Sequence, residues 1–356
     1  MADIAAQKAV LKALLSLPRP VLRALSGGGA VYVGGRTLDP RLQFLAHQAR
    51  RFPPISTLTP EQARAAADQG FAMSQGKREP GVRVEALSVD GAESPIPARA
   101  YLPPSLAPEA AVIVFLHQGG GVLGGLDSDD AFCSILAHCA KSPVLSIDYR
   151  LAPEHRFPAG LQDCLAAYRW ARANTGRFGV AEGRLALSGD SMGGNFTAVI
   201  TQTLKRAGEP QPVLQLLVYP AVDLASETQS MTTYADSYPL SRDTMVWFVN
   251  QYLGPGDDPA DVRLSPIREP DLSGLAPAIV ATAGFDPLCD QGEAYAKRLM
   301  DAGVPTVFRC YESLCHSFCS FTGVAPAADT ACREIAGLVA QGLRGELPEP
   351  AHARAA

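Results

Sequence analysis

Residues Leu185–Asn195 read LALSGDSMGGN. An aliphatic run ends in Gly-Asp-Ser-Met-Gly, and a helix-length segment, NFTAVITQTLKRAG, follows directly. A Gly-x-Ser-x-Gly turn between a strand and a helix lifts a serine hydroxyl out of the end of a sheet. The turn is crowded, so the positions two before and two after the serine must be small. Gly189 and Gly193 meet that demand. The stretch predicts a strand–turn–helix unit with Ser191 as a nucleophile.

A serine hydroxyl is a poor nucleophile at neutral pH and needs a base, a histidine oriented by a carboxylate. In this kind of sheet the chain order is serine, acid, histidine. After Ser191 the histidines are His316 and His352. His352 falls in the terminal ELPEPAHARAA, so His316, in YESLCHSF, is the expected base. The acid is sought in VATAGFDPLCDQG, which offers Asp286 and Asp290. Asp286 is nearer the strand end and is favoured; Asp290 suits the cap of the following helix. The base must be neutral to accept a proton, so activity is expected to fall in acid.

Around this centre the chain alternates between two textures. Eight β-rich runs are legible: VRVEALSV, PARAYLP, AVIVFLH, PVLSIDY, RLALSG, VLQLLVYP, PAIVATAG and VPTVFRCY. From the third onward most are separated by helix-length segments, which means a mostly parallel sheet covered on both faces. Residues 1–80 read as helix and loop, with a helix start at Thr59-Pro60. Residues 221–276 are too long for a simple crossover and read as an insertion that joins the N-terminal segment over one end of the sheet. The expected division is an N-terminal cap segment over 1–80, a catalytic domain over 81–345 interrupted by the cap insertion 221–276, and a loose tail over 346–356.

The 356 residues are 47% hydrophobic and 19% charged, as in a folded globular chain. A formal net charge of −5 without a basic run argues against a nucleic-acid partner. The eight scattered cysteines read as reduced, buried thiols, and the expected location is cytoplasmic. Lys8, Lys12, Pro18, Arg19 and Pro20 interrupt the N-terminal apolar stretch too often for a signal peptide. Val10, Leu11, Leu14 and Leu15 instead mark an amphipathic helix packed on the protein's own body.

The stretch VIVFLHQGGGVLGGLDSDD, Val112–Asp130, poses a second question. Gly119, Gly121 and Gly124 match a dinucleotide-binding G-x-G-x-x-G, and Asp148 follows at the end of the next strand. Such a loop must run straight into a helix whose amides face phosphate. Here the next helix is expected to be capped near Asp127 or Ser128, and Asp127, Asp129 and Asp130 would repel an anion. The alternative is an oxyanion hole, made by the amides of Gly119, Gly120 and Met192.

Together these segments resemble the bacterial hormone-sensitive-lipase-like esterases of the α/β-hydrolase fold, over roughly residues 80–345. HQGGGVLGGLD is similar to the family's oxyanion loop, DYRLAPEHRFPAG to the segment that braces it, and GDSMGGN, DPLCDQG and HSF to its nucleophile, acid and base motifs. The resemblance implies an eight-stranded, mostly parallel sheet with helices on both faces and a helical cap. It implies a serine carboxylesterase acting on short- to medium-chain acyl esters, without cofactor or metal. A small-molecule ester is the expected partner, and a homodimer is among the expected assemblies. Gln118 stands where the family has glycine, Gly121 where a bulky residue is common, and Met192 where alanine is usual. Gln118, Gly121 and Asp190 are therefore candidate pocket positions. His117 is expected to order the loop.

Other readings remain open at this level. The same triad serves amidases, lactonases and acyltransferases, and a relative of this fold can lose its histidine and only bind a ligand. Cys310, Cys315, His316 and Cys319 contain enough ligand types for zinc, and Cys315 and Cys319 flank the base closely enough to suggest sensitivity to oxidation.

Overall fold

The computed structural model describes residues 2–348 and 353–355. The eight β-rich runs become strands β3 (Arg83–Asp90), β4 (Pro95–Leu102), β5 (Val112–Leu116), β6 (Val144–Ile147), β7 (Leu185–Asp190), β8 (Leu214–Val218), β9 (Ala278–Phe285) and β10 (Thr306–Cys315). A short further strand, β11 (Ala353–Ala355), lies parallel to β10 at the edge. It departs from the loose tail expected over 346–356; residues 349–352 and 356, including His352, lie outside the described residues. The sheet order is β11-β10-β9-β8-β7-β5-β6-β4-β3. β4 runs antiparallel to β3 and β6, and the other neighbours are parallel.

The central strands are apolar on both faces because both faces are covered. Along β5, Ile113 and Phe115 join the core under α5 (Asp130–Ala140) and α11 (Pro326–Leu343). Val112, Val114 and Leu116 join the opposite core under α6 (Ala159–Ala173) and α7 (Met192–Arg206). Helix α10 (Cys289–Asp301) covers β8, β9 and β10 through Tyr295 and Leu299.

The N-terminal segment holds α1 (Ala2–Leu15), α2 (Arg19–Leu25), a two-stranded ribbon of β1 (Tyr32–Val33) and β2 (Arg36–Thr37), α3 (Pro40–Ala49) and α4 (Pro60–Ser74). Thr59 starts α4 as expected. Its hydroxyl accepts the Gln62 amide, and the Gln62 side chain accepts the Thr59 amide, at 3.3 and 3.1 Å. In α1 only part of the anticipated apolar stripe is covered. Leu15 is buried and Leu11 half-buried, whereas Val10 and Leu14 face outward. Among the described residues no helix is long and apolar enough to cross a membrane.

The insertion contributes α8 (Gln229–Thr233) and α9 (Arg242–Tyr252). Phe248 and Tyr252, four residues apart on one face of α9, rest on the glycine loop. A Cβ at Gly120 would lie 2.4 Å from the Phe248 ring, and one at Gly121 would lie 2.7 Å from the Tyr252 ring. From the other side Arg64 of α4 grips the same loop. It donates to the Val122 carbonyl at 2.9 Å and the Ala152 carbonyl at 2.8 Å, and pairs with Glu154 at 2.6 Å.

Gly121 also has φ of +72°, a conformation in which a side chain is strained. Gly121→Ala combines that strain with overpacking against Tyr252, and is expected to destabilise the fold by about 2–4 kcal/mol. A thermal melt beside the unaltered protein checks this; an unshifted midpoint would mean that α9 does not bear on the loop.

Candidate active site

The register of the parallel strands brings the candidate residues together. Leu116 pairs with Gly189, Asp190 with Val218, and Phe285 with Cys315. The chain therefore leaves β5, β7, β8, β9 and β10 at one edge, with the glycine loop beside Ser191 and Asp286 beside His316. β10 is irregular between Tyr311 and Cys315, and its backbone presses on β9. A Cβ at Gly284 would fall 2.2 Å from the Glu312 carbonyl oxygen, so glycine is needed there.

Ser191 has φ 53° and ψ −115°. Such a backbone costs on the order of 1–3 kcal/mol and persists only where its surroundings impose it. Here the Ser191 amide donates to the Val218 carbonyl at 2.9 Å, while its own carbonyl accepts from Asn195 at 3.1 Å and Ala221 at 3.2 Å. The flanking glycines are obligatory on steric grounds. A Cβ at Gly193 would sit 1.9 Å from the Leu116 carbonyl oxygen, and one at Gly189 would sit 2.3 Å from that of Gly193.

His316 Nε2 lies 3.0 Å from Ser191 Oγ, and His316 Nδ1 lies 2.7 Å from Asp286 Oδ2. An ionised carboxylate only accepts, so Nδ1 carries the hydrogen and Nε2 is left to accept from the serine hydroxyl. The other Asp286 oxygen accepts the Leu288 amide at 2.8 Å. The Tyr219 ring packs on the imidazole with centroids 4.8 Å apart. Asp290, the other candidate acid, is elsewhere. It lies in the first turn of α10, beyond the cap position, and accepts the Ser230 amide at 2.7 Å. Asp286 is fully buried, and Ser191 retains 8% exposure.

The glycine loop carries φ of 118°, 63° and 72° at Gly119, Gly120 and Gly121. His117 Nδ1 donates to the Gln118 carbonyl at 2.7 Å, and its ring stacks on Tyr149 at 4.1 Å. The Tyr149 hydroxyl donates to the His117 carbonyl at 2.7 Å. Burial pushes the His117 imidazole down to about 4, so it is neutral and orders the loop. The DYRLAPEHRFPAG segment braces as expected: the Ala152 amide donates to the Gly121 carbonyl at 2.8 Å, and the Phe157 amide to that of Tyr252 at 3.0 Å. The Met192 side chain is housed in the core with Phe196.

The helix after the loop, α5, begins at Asp130 with Asp129 at its cap position, one residue past Ser128, and the Ser128 hydroxyl accepts from the Gly125 amide at 2.9 Å. Gln118, a candidate pocket position, turns its amide nitrogen into the interior. Its Nε2 donates inward, to Asp129 Oδ1 at 2.9 Å and Ser320 Oγ at 2.8 Å, because a buried amide must find partners. Asp190 is likewise fully buried, and accepts the Tyr219 hydroxyl at 2.8 Å. Gly121, the third pocket candidate, lies under Tyr252.

Both ring nitrogens of His316 are engaged within the Ser191–Asp286 pair. Among the described residues no group of three or more histidine, cysteine, aspartate or glutamate side chains is placed to hold a metal. Cys315 and Cys319 are buried, and burial pushes both thiols up, away from the reactive thiolate. The sequence reading missed Arg64, Tyr219 and the α9 rings. The spacing of Phe248 and Tyr252 was the one available signal, since it marks a single helix face.

The sequence profile of the alpha/beta hydrolase fold family matches residues 113–320. The carboxylic ester hydrolase LipN of Mycobacterium tuberculosis is 42% identical over 316 residues, covering 86% of this chain and 84% of that protein. The ethyl acetate hydrolase of Pseudomonas putida is 35% identical over 280 residues, covering 78% of this chain and 88% of that protein. Among solved structures, an ester hydrolase from the metagenome of Lake Arreo superposes with a TM-score of 0.82 at 38% identity, covering 85% of this chain and 98% of that one. The esterase of Pyrobaculum calidifontis gives 0.77 at 34% identity, covering 87% of this chain and 100% of that one. With a strand-end serine, histidine and aspartate in one buried cluster, and relatives of this identity over most of its length, the chain belongs to the hormone-sensitive-lipase-like carboxylic ester hydrolases of the α/β-hydrolase fold.

Proposed function

We propose that this ester hydrolase works through a covalent acyl-enzyme on Ser191, with His316 as base and acid and Asp286 as the group that orients it. The observation that carries the reading is the continuous chain of contacts from Ser191 Oγ to His316 Nε2 at 3.0 Å and from Nδ1 to Asp286 at 2.7 Å. His316 takes the hydroxyl proton as Ser191 Oγ attacks the ester carbonyl. The amides of Gly119, Gly120 and Met192 stabilise the resulting oxyanion. His316 returns the proton to the departing alcohol, and the acyl group stays on Ser191. Water, deprotonated by the same imidazole, then releases the acid.

Residues 1–80 and 221–276 are the cap in this reading. Arg64 from the first and Phe248 and Tyr252 from the second bear on the oxyanion loop, so the cap supports the catalytic amides as well as covering the substrate. The small exposure of Ser191 favours short- to medium-chain acyl esters over large polymeric substrates.

Ser191→Ala is expected to lower kcat by about four to six orders of magnitude with the fold intact. An aryl phosphonate should label the unaltered protein at Ser191 and leave the variant untouched, as read by intact mass. Near-normal hydrolysis by the variant would remove Ser191 as nucleophile. Asp286→Asn keeps the volume but permits the wrong imidazole tautomer, and should cost about 10⁴ in kcat. Adding a simple alcohol to the assay then separates hydrolysis from acyl transfer, because a transferase would divert the acyl group to a new ester.

A further inference from the structure

Two carboxyl groups meet in the interior directly behind the nucleophile. Asp129 is the residue before α5, and Asp190 precedes Ser191; their relative exposures are 2% and 0%. The two carboxyls lie near enough that each shifts the ionisation of the other. Each has one oxygen accounted for by another donor: Asp129 Oδ1 accepts from Gln118 Nε2 at 2.9 Å, and Asp190 Oδ2 accepts from the Tyr219 hydroxyl at 2.8 Å. The remaining oxygens, Asp129 Oδ2 and Asp190 Oδ1, are buried, and no donor among the described residues reaches either one. Two ionised carboxylates cannot hydrogen-bond, since neither can donate. A contact between them requires one proton.

The pair joins segments that must stay in register for the reaction. Gln118 opens the oxyanion loop, and its Nε2 also donates to Ser320 Oγ at 2.8 Å, in the turn after His316. Ser320 passes its own hydrogen to the Ser128 carbonyl at 3.2 Å, which fixes it as the acceptor from Gln118. Tyr219, bonded to Asp190, packs its ring on His316. The residue that departs from the glycine of related loops is therefore the one that fastens the loop to the carboxyl pair.

We propose that Gln118, Asp129 and Asp190 form a brace closed by a single shared proton, and that this brace positions the oxyanion loop against the turn carrying Ser191. The inference rests on the serine-esterase reading for its effect on turnover. The groups are positioning residues and touch no reacting atom. With the proton in place, the amide, the two carboxyls and the phenol form one satisfied chain. Without it, two buried negative charges face each other, and the loop is pushed from the nucleophile.

The other titratable groups facing the pair are Cys133 of α5, Cys319 of the turn after His316, Tyr149 of the bracing segment, and Tyr219. Burial pushes the ionisation of all four up, so they stay neutral and do not offset the pair's charge. Burial first, and then the neighbouring carboxylate, raise Asp190 well above the usual carboxylate range. The folded protein thus holds a proton that the unfolded chain releases near ordinary carboxylate values. Stability from this site is complete below those values and is lost as pH rises through the raised value of the folded pair.

Asp129→Asn tests the brace. Its carbonyl oxygen still accepts from Gln118, and its amide donates to Asp190 without needing a shared proton. The variant should retain kcat within about tenfold near neutral pH and lose the alkaline fall in kcat expected of the unaltered protein. Asp129→Ala, which leaves Gln118 and Asp190 unpaired, should lose about a hundredfold in kcat at every pH, with a smaller change in KM. Asp190→Asn, with its amide donating to Asp129, should flatten the alkaline limb in the same way. The thermal midpoint, followed from about pH 6 to about pH 9 in a Ser191→Ala background, should fall more steeply with Asp129 than with Asn at that position. This melt needs no turnover, so it tests the pair even if the nucleophile is elsewhere. Equal midpoint slopes with Asp and with Asn at 129 would overturn the shared proton. A flattened midpoint curve with an unchanged pH–rate profile would overturn the link to catalysis.

Discussion

The site depends on one close crossing of backbone, where the first turn of α7 passes the end of β5. The gap at Gly193 is too small for a single carbon atom beyond the backbone, since a Cβ would lie 1.9 Å from the Leu116 carbonyl. That contact fixes the glycine loop, which leaves β5 immediately afterwards, against the serine turn, which enters α7 immediately before. Parallel pairing of β5 with β7 and of β9 with β10 does the rest, because it delivers both halves of the site to the same edge. The meeting of Ser191, Asp286 and His316 follows from strand register.

Around the crossing, the polar groups are held by partners of matched type. His117 is kept neutral by burial and used as a stacked wedge on Tyr149. Arg64 reaches carbonyls on both the loop and the bracing segment, where a shorter cation could reach one. The carboxyls of Asp129 and Asp190 sit deeper, where an unpaired charge costs most. Apolar packing aligns the strands, and the hydrogen bonds then select one loop conformation among those that packing allows.

Much of this was legible in the linear order. The strands could be read because they are apolar runs bounded by turn residues, and Thr59-Pro60 could be read because capping is local. Ser191, Asp286 and His316 could be placed because each lies just past a strand end. The orientation of Gln118 could not, since nothing near it in sequence reveals that Asp129 and Ser320 converge beneath it. The partner of Asp129 was hidden for the same reason: the aspartate at the cap position of α5 serves a distant amide rather than the helix end. Asp190 was a candidate pocket position from its place next to the nucleophile, and its bond to the buried Tyr219 hydroxyl has no signal in the local sequence.

The seating of Phe248 and Tyr252 on Gly120 and Gly121 also bears on how the protein comes into being. A chain in which the sheet has formed but α9 has not yet docked would possess the serine, the histidine and the aspartate, yet its amide cradle would be unsupported. Under the proposed mechanism, competence then waits on the docking of α9. On the same mechanism, a protease cut within the insertion is expected to spare the strands and silence turnover.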